Sequence, residues 1–160
     1  MVNSRRPFEI LLAEDNAADA ELVREALKEY HLNCSLRVIS DGAQAIEFID
    51  RMDKDPNAPP LDLLLLDIHL PKCEGGEVLK RLRSTERYSG TPAIIITGLS
   101  SRCVQEAAMR DNVIMCFEKP STLEEFMQLG SIVRQVLERT AQTSPDQTNA
   151  SSAAHWGDVR

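Results

Sequence analysis

The chain has very few aromatic side chains: four Phe, two Tyr and one Trp, 4% of 160 residues. Whatever core it builds must therefore be aliphatic. No apolar run approaches the ~20 residues that cross a bilayer as a helix. Arg5 and Arg6 stand near the start, but no leader-like apolar stretch with a small-residue cleavage site follows them. The four cysteines, Cys34, Cys73, Cys103 and Cys116, form no C-x-x-C pair, so the usual signs of a zinc site or a redox dithiol are missing. Basic charge is also short: 18 Lys and Arg against 25 Asp and Glu leave a net charge of −7. Direct binding to nucleic acid or to an anionic membrane is not expected of such a chain. These absences together predict a cytoplasmic protein whose thiols are free and mostly fill space.

What is present suits one globular domain. The chain is 42% hydrophobic and 27% charged, at a one-domain length. Phe8 to Ala13 predicts a strand that ends at Glu14-Asp15. Asn16 is a helix cap with Asp19 in the first turn, where its charge suits the helix dipole. Leu22, Val23, Ala26, Leu27 and Tyr30 then share a helical face. Leu36 to Ile39 predicts a second strand. Asp41 to Gln44 starts a helix with Ile46, Ile49 and Met52 inward. Asp53 to Pro60 is a polar, proline-rich connection and is expected to be a solvated loop.

Leu63-Leu64-Leu65-Leu66 has neither a helical nor an alternating period, so both faces are expected to be buried, as in a central strand of a parallel sheet. Asp67 follows at its carboxyl end and Pro71 stops any continuation. Gly75-Gly76 precedes a helix with Val78, Leu79 and Leu82. Ala93 to Ile96 predicts a fourth strand ending at Thr97-Gly98. Ser100 or Ser101 caps a short helix, and Val113 to Phe117 predicts a fifth strand ending at Glu118-Lys119-Pro120. Ser121-x-x-Glu124 reads as a capping box for a last helix, in which Gly130 suggests a locally weak point. From Thr140 the composition turns polar, which predicts a disordered tail over 140–160. Five strands alternating with five helices call for an α/β fold: a parallel sheet with right-handed crossovers and helices on both faces.

In such a sheet Glu14, Asp15, Asp67, Thr97 and Lys119 fall along one edge, where open α/β sheets bind ligands. Gathered carboxylates repel one another, and clustered oxygen ligands with room for water suit Mg²⁺. A carboxylate nucleophile, a cation, a lysine and a hydroxyl are together what an aspartyl-phosphate site needs.

The ordered runs Ile10-Leu11-Leu12-Ala13-Glu14-Asp15-Asn16, Leu65-Leu66-Asp67-Ile68-His69-Leu70-Pro71, Ile96-Thr97-Gly98 and Glu118-Lys119-Pro120 resemble the receiver domain of two-component response regulators. The resemblance covers roughly residues 7–139. It implies a flavodoxin-like doubly wound sheet of order 2-1-3-4-5 over 8–139, after an N-terminal arm at 1–7. It implies Asp67 as phosphoacceptor, and Mg²⁺ held by Asp15, Asp67, the main-chain carbonyl of His69 and, mainly through water, Glu14. Thr97 would contact the phosphoryl group and Lys119 would pair with it. The Lys119–Pro120 bond is often cis in this family. More narrowly, the chain resembles the stand-alone regulators that partner bacterial phytochromes and similar sensor histidine kinases. It carries the Glu14-Asp15-Asn16-Ala17-Ala18-Asp19 run and a long proline-rich loop, and no output domain is read after the last helix. Output would then be protein–protein contact or onward phosphorelay, with homodimers forming through the face made by residues 100–138.

The chain departs from the family at Cys116, where a switch Tyr or Phe usually stands. Phe117 is adjacent, but successive strand side chains point to opposite faces. An aromatic flip is therefore not expected, and a scaffold with impaired switching is the alternative. Leu99 and His69 occupy positions where the family tunes access of hydrolytic water, and apolar Leu99 predicts slow autodephosphorylation. The chain would then be no enzyme beyond its own phosphoryl acceptance and loss. His31 and His155 are expected at the surface. A haloacid-dehalogenase-like phosphohydrolase would want an aspartate where His69 stands. A flavin phosphate would be repelled by Glu14 and Asp15.

Overall fold

Apolar runs that alternate between two cores set the architecture. The computed structural model describes residues 6–98 and 113–142. In chain order the elements are β1 (Phe8–Ala13), α1 (Ala17–Glu29), β2 (Cys34–Ile39), α2 (Gly42–Lys54) and β3 (Leu63–Leu66). They are followed by α3 (Gly75–Ser84), β4 (Ala93–Thr97), β5 (Val113–Glu118) and the last helix, here α4 (Leu123–Gln142). The five strands form one parallel sheet in the order β2-β1-β3-β4-β5. This is the doubly wound, flavodoxin-like order that the resemblance implied. Four helices stand among the described residues. The helix expected after Ser100 or Ser101 lies outside them.

β3 is the centre. Leu63, Leu64, Leu65 and Leu66 are each 0% exposed, which is why the run shows no period. Burying each such side chain contributes roughly 1.5–3 kcal/mol before entropy is counted. Leu63 and Leu65 face one core with Ile10, Leu12, Ile94 and Ile96, under α1 and α4. Leu64 and Leu66 face the other with Leu11, Ala13 and Ala93, under α2 and α3. No helix among the described residues is long and apolar enough to cross a membrane.

The helices begin close to where the caps predict. Asn16 Oδ1 accepts from the Asp19 N–H at 3.0 Å, and Asp41 Oδ1 accepts from the Gln44 N–H at 2.7 Å. Three expectations shift. The α4 cap is Thr122, whose Oγ1 accepts from the Glu125 N–H at 3.3 Å, one residue later than the Ser121–Glu124 box. Phe126 is thereby turned into the core against Phe117, with the two rings edge to face at 5.9 Å. In α2 the buried ring is Phe48, whereas Ile46 and Met52 are only partly covered. Helix α4 continues to Gln142, past the change of composition at Thr140.

The Asp53–Pro60 connection is not simply solvated. Arg87, in the connection from α3 to β4, donates through its guanidinium to the carbonyls of Asp55 and Ala58, and its main-chain N–H donates to Asp53 Oδ1. The Tyr88 hydroxyl donates to the Pro59 carbonyl at 3.1 Å, and Thr91 Oγ1 to that of Leu61, also at 3.1 Å. A proline-rich loop has few N–H groups to pair its own carbonyls, so donors come from a neighbouring connection.

Candidate functional site

The parallel register brings the strand ends together. Ala13 pairs with Leu66, so Glu14 and Asp15 leave β1 where Asp67 leaves β3. Thr97 closes β4, and its carbonyl accepts from the Lys119 N–H at 2.8 Å, which fixes the start of the connection after β5. All five strand-edge residues expected from the sequence therefore lie on one edge.

Glu14, Asp67 and Thr97 are buried, with 2%, 7% and 2% of their surface exposed, while Asp15 is open to solvent. One carboxylate oxygen from each of Glu14, Asp15 and Asp67 lies within 4.8 Å of the others. Opposite ligands on Mg²⁺ stand ~4 Å apart, so small side-chain rotations would bring the three into range, and an all-carboxylate set suits a hard cation. Lys119 Nζ reaches into the same group: 2.6 Å from Glu14 Oε1, 2.8 Å from Asp19 Oδ2 and 3.2 Å from Asp67 Oδ2. The other Asp67 oxygen accepts from the His69 main-chain N–H at 3.0 Å. His69 thus presents its backbone to Asp67, while its ring lies 3.6 Å from Glu74. Every peptide bond among the described residues is trans, Lys119–Pro120 included.

Burial dominates the electrostatics of Glu14. It pushes the carboxyl up to about 7; a Lys119 hydrogen bond opposes this, and nearby Asp67 adds to it. Burial also works against the charge on Lys119, but hydrogen bonds to Asp19 and Glu14 outweigh it and hold the ammonium well above its ordinary value. The edge thus holds a poorly solvated carboxylate beside a firmly charged lysine.

The loop after Asp67 is shaped by close contacts. Gly75 opens α3 rather than preceding it, and a Cβ there would lie 2.5 Å from the Asp67 carbonyl oxygen, so this close approach of backbone to backbone requires glycine. Its N–H donates to the Ile68 carbonyl at 2.9 Å. Lys72 has φ 67°, and the Cys73 N–H donates to the Pro71 carbonyl at 2.8 Å, a tight three-residue turn. Lys72 Nζ reaches the buried Asp41 at 3.6 Å, which fastens the loop to the start of α2.

The response regulator receiver domain family matches residues 10–130. The chain belongs to that family. It is 36% identical over 94 residues to the response regulator Rcp1 of Synechocystis sp., an alignment spanning 59% of this chain and 64% of Rcp1. The crystal structure of the phosphorylated cyanobacterial phytochrome response regulator RcpA matches it with a TM-score of 0.73 at 26% identity, over 84% of this chain and 96% of RcpA. The Mn²⁺-bound form of Rcp1 matches with a TM-score of 0.70 at 30% identity, over 79% and 91%.

Within this receiver domain Cys116 and Phe117 do point apart. Phe117 belongs to the core under α1 and α4. The irregularity in β5 pairing lies earlier, where Ala93 pairs with Val113 and Ile94 with Met115, and it does not turn Phe117 outward. Burial pushes the Cys116 thiol up, so it holds its proton at neutral pH and fits a space-filling role. Leu99 and residues 100–112 lie outside the described residues.

One receiver-domain residue carries more than its sequence context suggested. Asp19, expected only to complement a helix dipole, is a partner of Lys119. The only signal was a further acid in the turn after Glu14-Asp15-Asn16.

Proposed function

We propose that this receiver domain is a phosphorylation-driven switch in which Asp67 accepts a phosphoryl group from a phosphohistidine of a sensor kinase. The observation that carries the reading is the placement of Lys119 Nζ 3.2 Å from Asp67, within a trio of carboxylates able to share a cation. An Asp67 oxygen attacks phosphorus, the bond from phosphorus to imidazole nitrogen breaks, and the imidazole leaves with a proton. Glu14, Asp15, Asp67 and the His69 carbonyl would hold Mg²⁺, with Glu14 acting mainly through water. That ion would neutralise charge on the transferring group. Lys119 and the Thr97 hydroxyl serve the phosphoryl oxygens of the product.

Phosphorylation adds charge beside β4 and β5 and biases a two-state element there. Exposed Ile114 and Leu123, at 49% and 61%, place apolar surface on the described part of the 100–138 face. That surface supports pairing of two copies, or docking of a downstream protein or relay partner. Similarity to RcpA, a phytochrome response regulator, supports a phytochrome-type kinase as the phosphoryl donor. Leu99, two positions after Thr97 in the sequence, offers no polar group to orient hydrolytic water, so loss of the phosphoryl group is slow; that loss and phosphoryl acceptance are the only chemistry the chain performs.

Intact mass after incubation with acetyl phosphate tests the reading. One phosphoryl adduct is expected, dependent on Mg²⁺ and lost in Asp67→Ala. An adduct that survives Asp67→Ala, or no adduct in the native chain, overturns it.

A further inference from the structure

Lys119 Nζ has three carboxylate partners, and only two of them belong to the cation-binding trio. Glu14 and Asp67, at 2.6 and 3.2 Å, lie in the trio with Asp15. Asp19, at 2.8 Å, does not. An ammonium has three N–H donors, so these acceptors saturate it. Asp19 is held from its own helix, because its N–H donates to the Asn16 cap at 3.0 Å. The side chains of Asp19 and Lys119 are 24% and 16% exposed, so the pair is partly screened from water.

We propose that Asp19 is a positioning residue for Lys119: it is the acceptor on which the lysine rests when Glu14 and Asp67 turn to a divalent cation. The inference rests on the function proposed above and adds a residue to it. A dication and an ammonium repel each other when they share carboxylates. Lys119 must then release Glu14, Asp67 or both. Asp19 is outside the trio, so it keeps Nζ near the Asp67 carboxylate without consuming a ligand. With Asp19 neutralised, Lys119 leans wholly on Glu14 and Asp67 and competes with the cation for them.

The test is a double-mutant cycle on the full chain with Asp19→Asn, Lys119→Gln and the pair. Mg²⁺ affinity is read by titration calorimetry at fixed ionic strength. Asp19→Asn is near-isosteric, and thermal melts in chelator show whether each variant is folded. Asp19→Asn should weaken Mg²⁺ binding about tenfold while Lys119 is present, and at least about fivefold less once it is Gln, as expected of residues in one network. Asp19→Glu, which keeps the charge, should recover most of the loss. Equal or larger losses in the Lys119→Gln background would mean that Asp19 acts only through its charge, and would overturn the proposal; so would no loss in either background. A native chain that binds Mg²⁺ but takes no phosphoryl group would sink the proposed function and leave the Asp19 cycle readable.

Discussion

Lys119 Nζ stands 2.6 Å from an oxygen of Glu14, a carboxylate with 2% of its surface exposed. Even so close a lysine does not offset the burial of Glu14, which is pushed from 4.5 up to about 7. Between those values the folded chain binds a proton more tightly than the unfolded chain does. Stability in chelator should therefore fall as pH rises through that window, by up to about 1.4 kcal/mol per unit from this group. Urea unfolding at several pH values should show the slope, and Glu14→Gln should flatten it. Mg²⁺ affinity should run the other way over the same window, because the cation needs Glu14 ionised. A slope unchanged in Glu14→Gln would place its origin elsewhere.

Gly130 reads in the sequence as a weak point, and helix propensity alone favours Ala there by up to ~1 kcal/mol. The packing reverses the sign. A Cβ at Gly130 would collide with the Ala26 carbonyl oxygen and approach the Tyr30 ring, where α4 crosses α1. Overpacking typically costs 1–3 kcal/mol. Gly130→Ala should lower urea-measured stability by ~1–2 kcal/mol; a gain would mean that the helices separate freely at this point.

His31 ends α1 in a left-handed conformation, at φ 51°. Its N–H donates to the Lys28 carbonyl at 2.9 Å and that of Leu32 to the Leu27 carbonyl at 3.2 Å, the paired bonds of a Schellman cap. Side chains with a Cβ pay about 1–2 kcal/mol for this geometry, and glycine does not. His31→Gly should raise stability by about 1 kcal/mol and move the thermal midpoint up. No change would mean that unfolded-state entropy cancels the relief.

Arg87 holds the proline-rich connection through the Asp55 and Ala58 carbonyls. Arg87→Ala should speed hydrogen exchange of the amides at Asn57 and Ala58 while leaving phosphoryl acceptance at the far edge of the sheet intact. Unchanged exchange would assign the loop's order to Tyr88 and Thr91 instead.

The strands and the acidic edge were legible because they depend on local pattern. A strand buried on both faces shows as an unbroken apolar run, and the charge that ends it must lie at the edge. The start of α4 was misread by one residue because Ser121 and Thr122 can both cap, each with a glutamate three residues on. What chooses Thr122 is the burial of Phe126, a tertiary effect. The role of Asp19 was hidden because its partner lies 100 residues away. The loop clamp was hidden for the same reason: Arg87 and Tyr88 reach back about thirty residues, and nothing local announces a long arginine's acceptor.

Among the described residues the sheet separates two cores that share no side chain, with Ile10 and Leu12 on one side and Leu11 and Ala13 on the other. Energetically this is a partition wall. Packing substitutions under α2 and α3 should combine additively with those under α1 and α4, since the two clusters have no described residue in common. The acidic edge lies at the rim of that wall, within reach of both compartments. Sequence drift can therefore proceed in each compartment on its own account, and only the rim keeps a joint ledger.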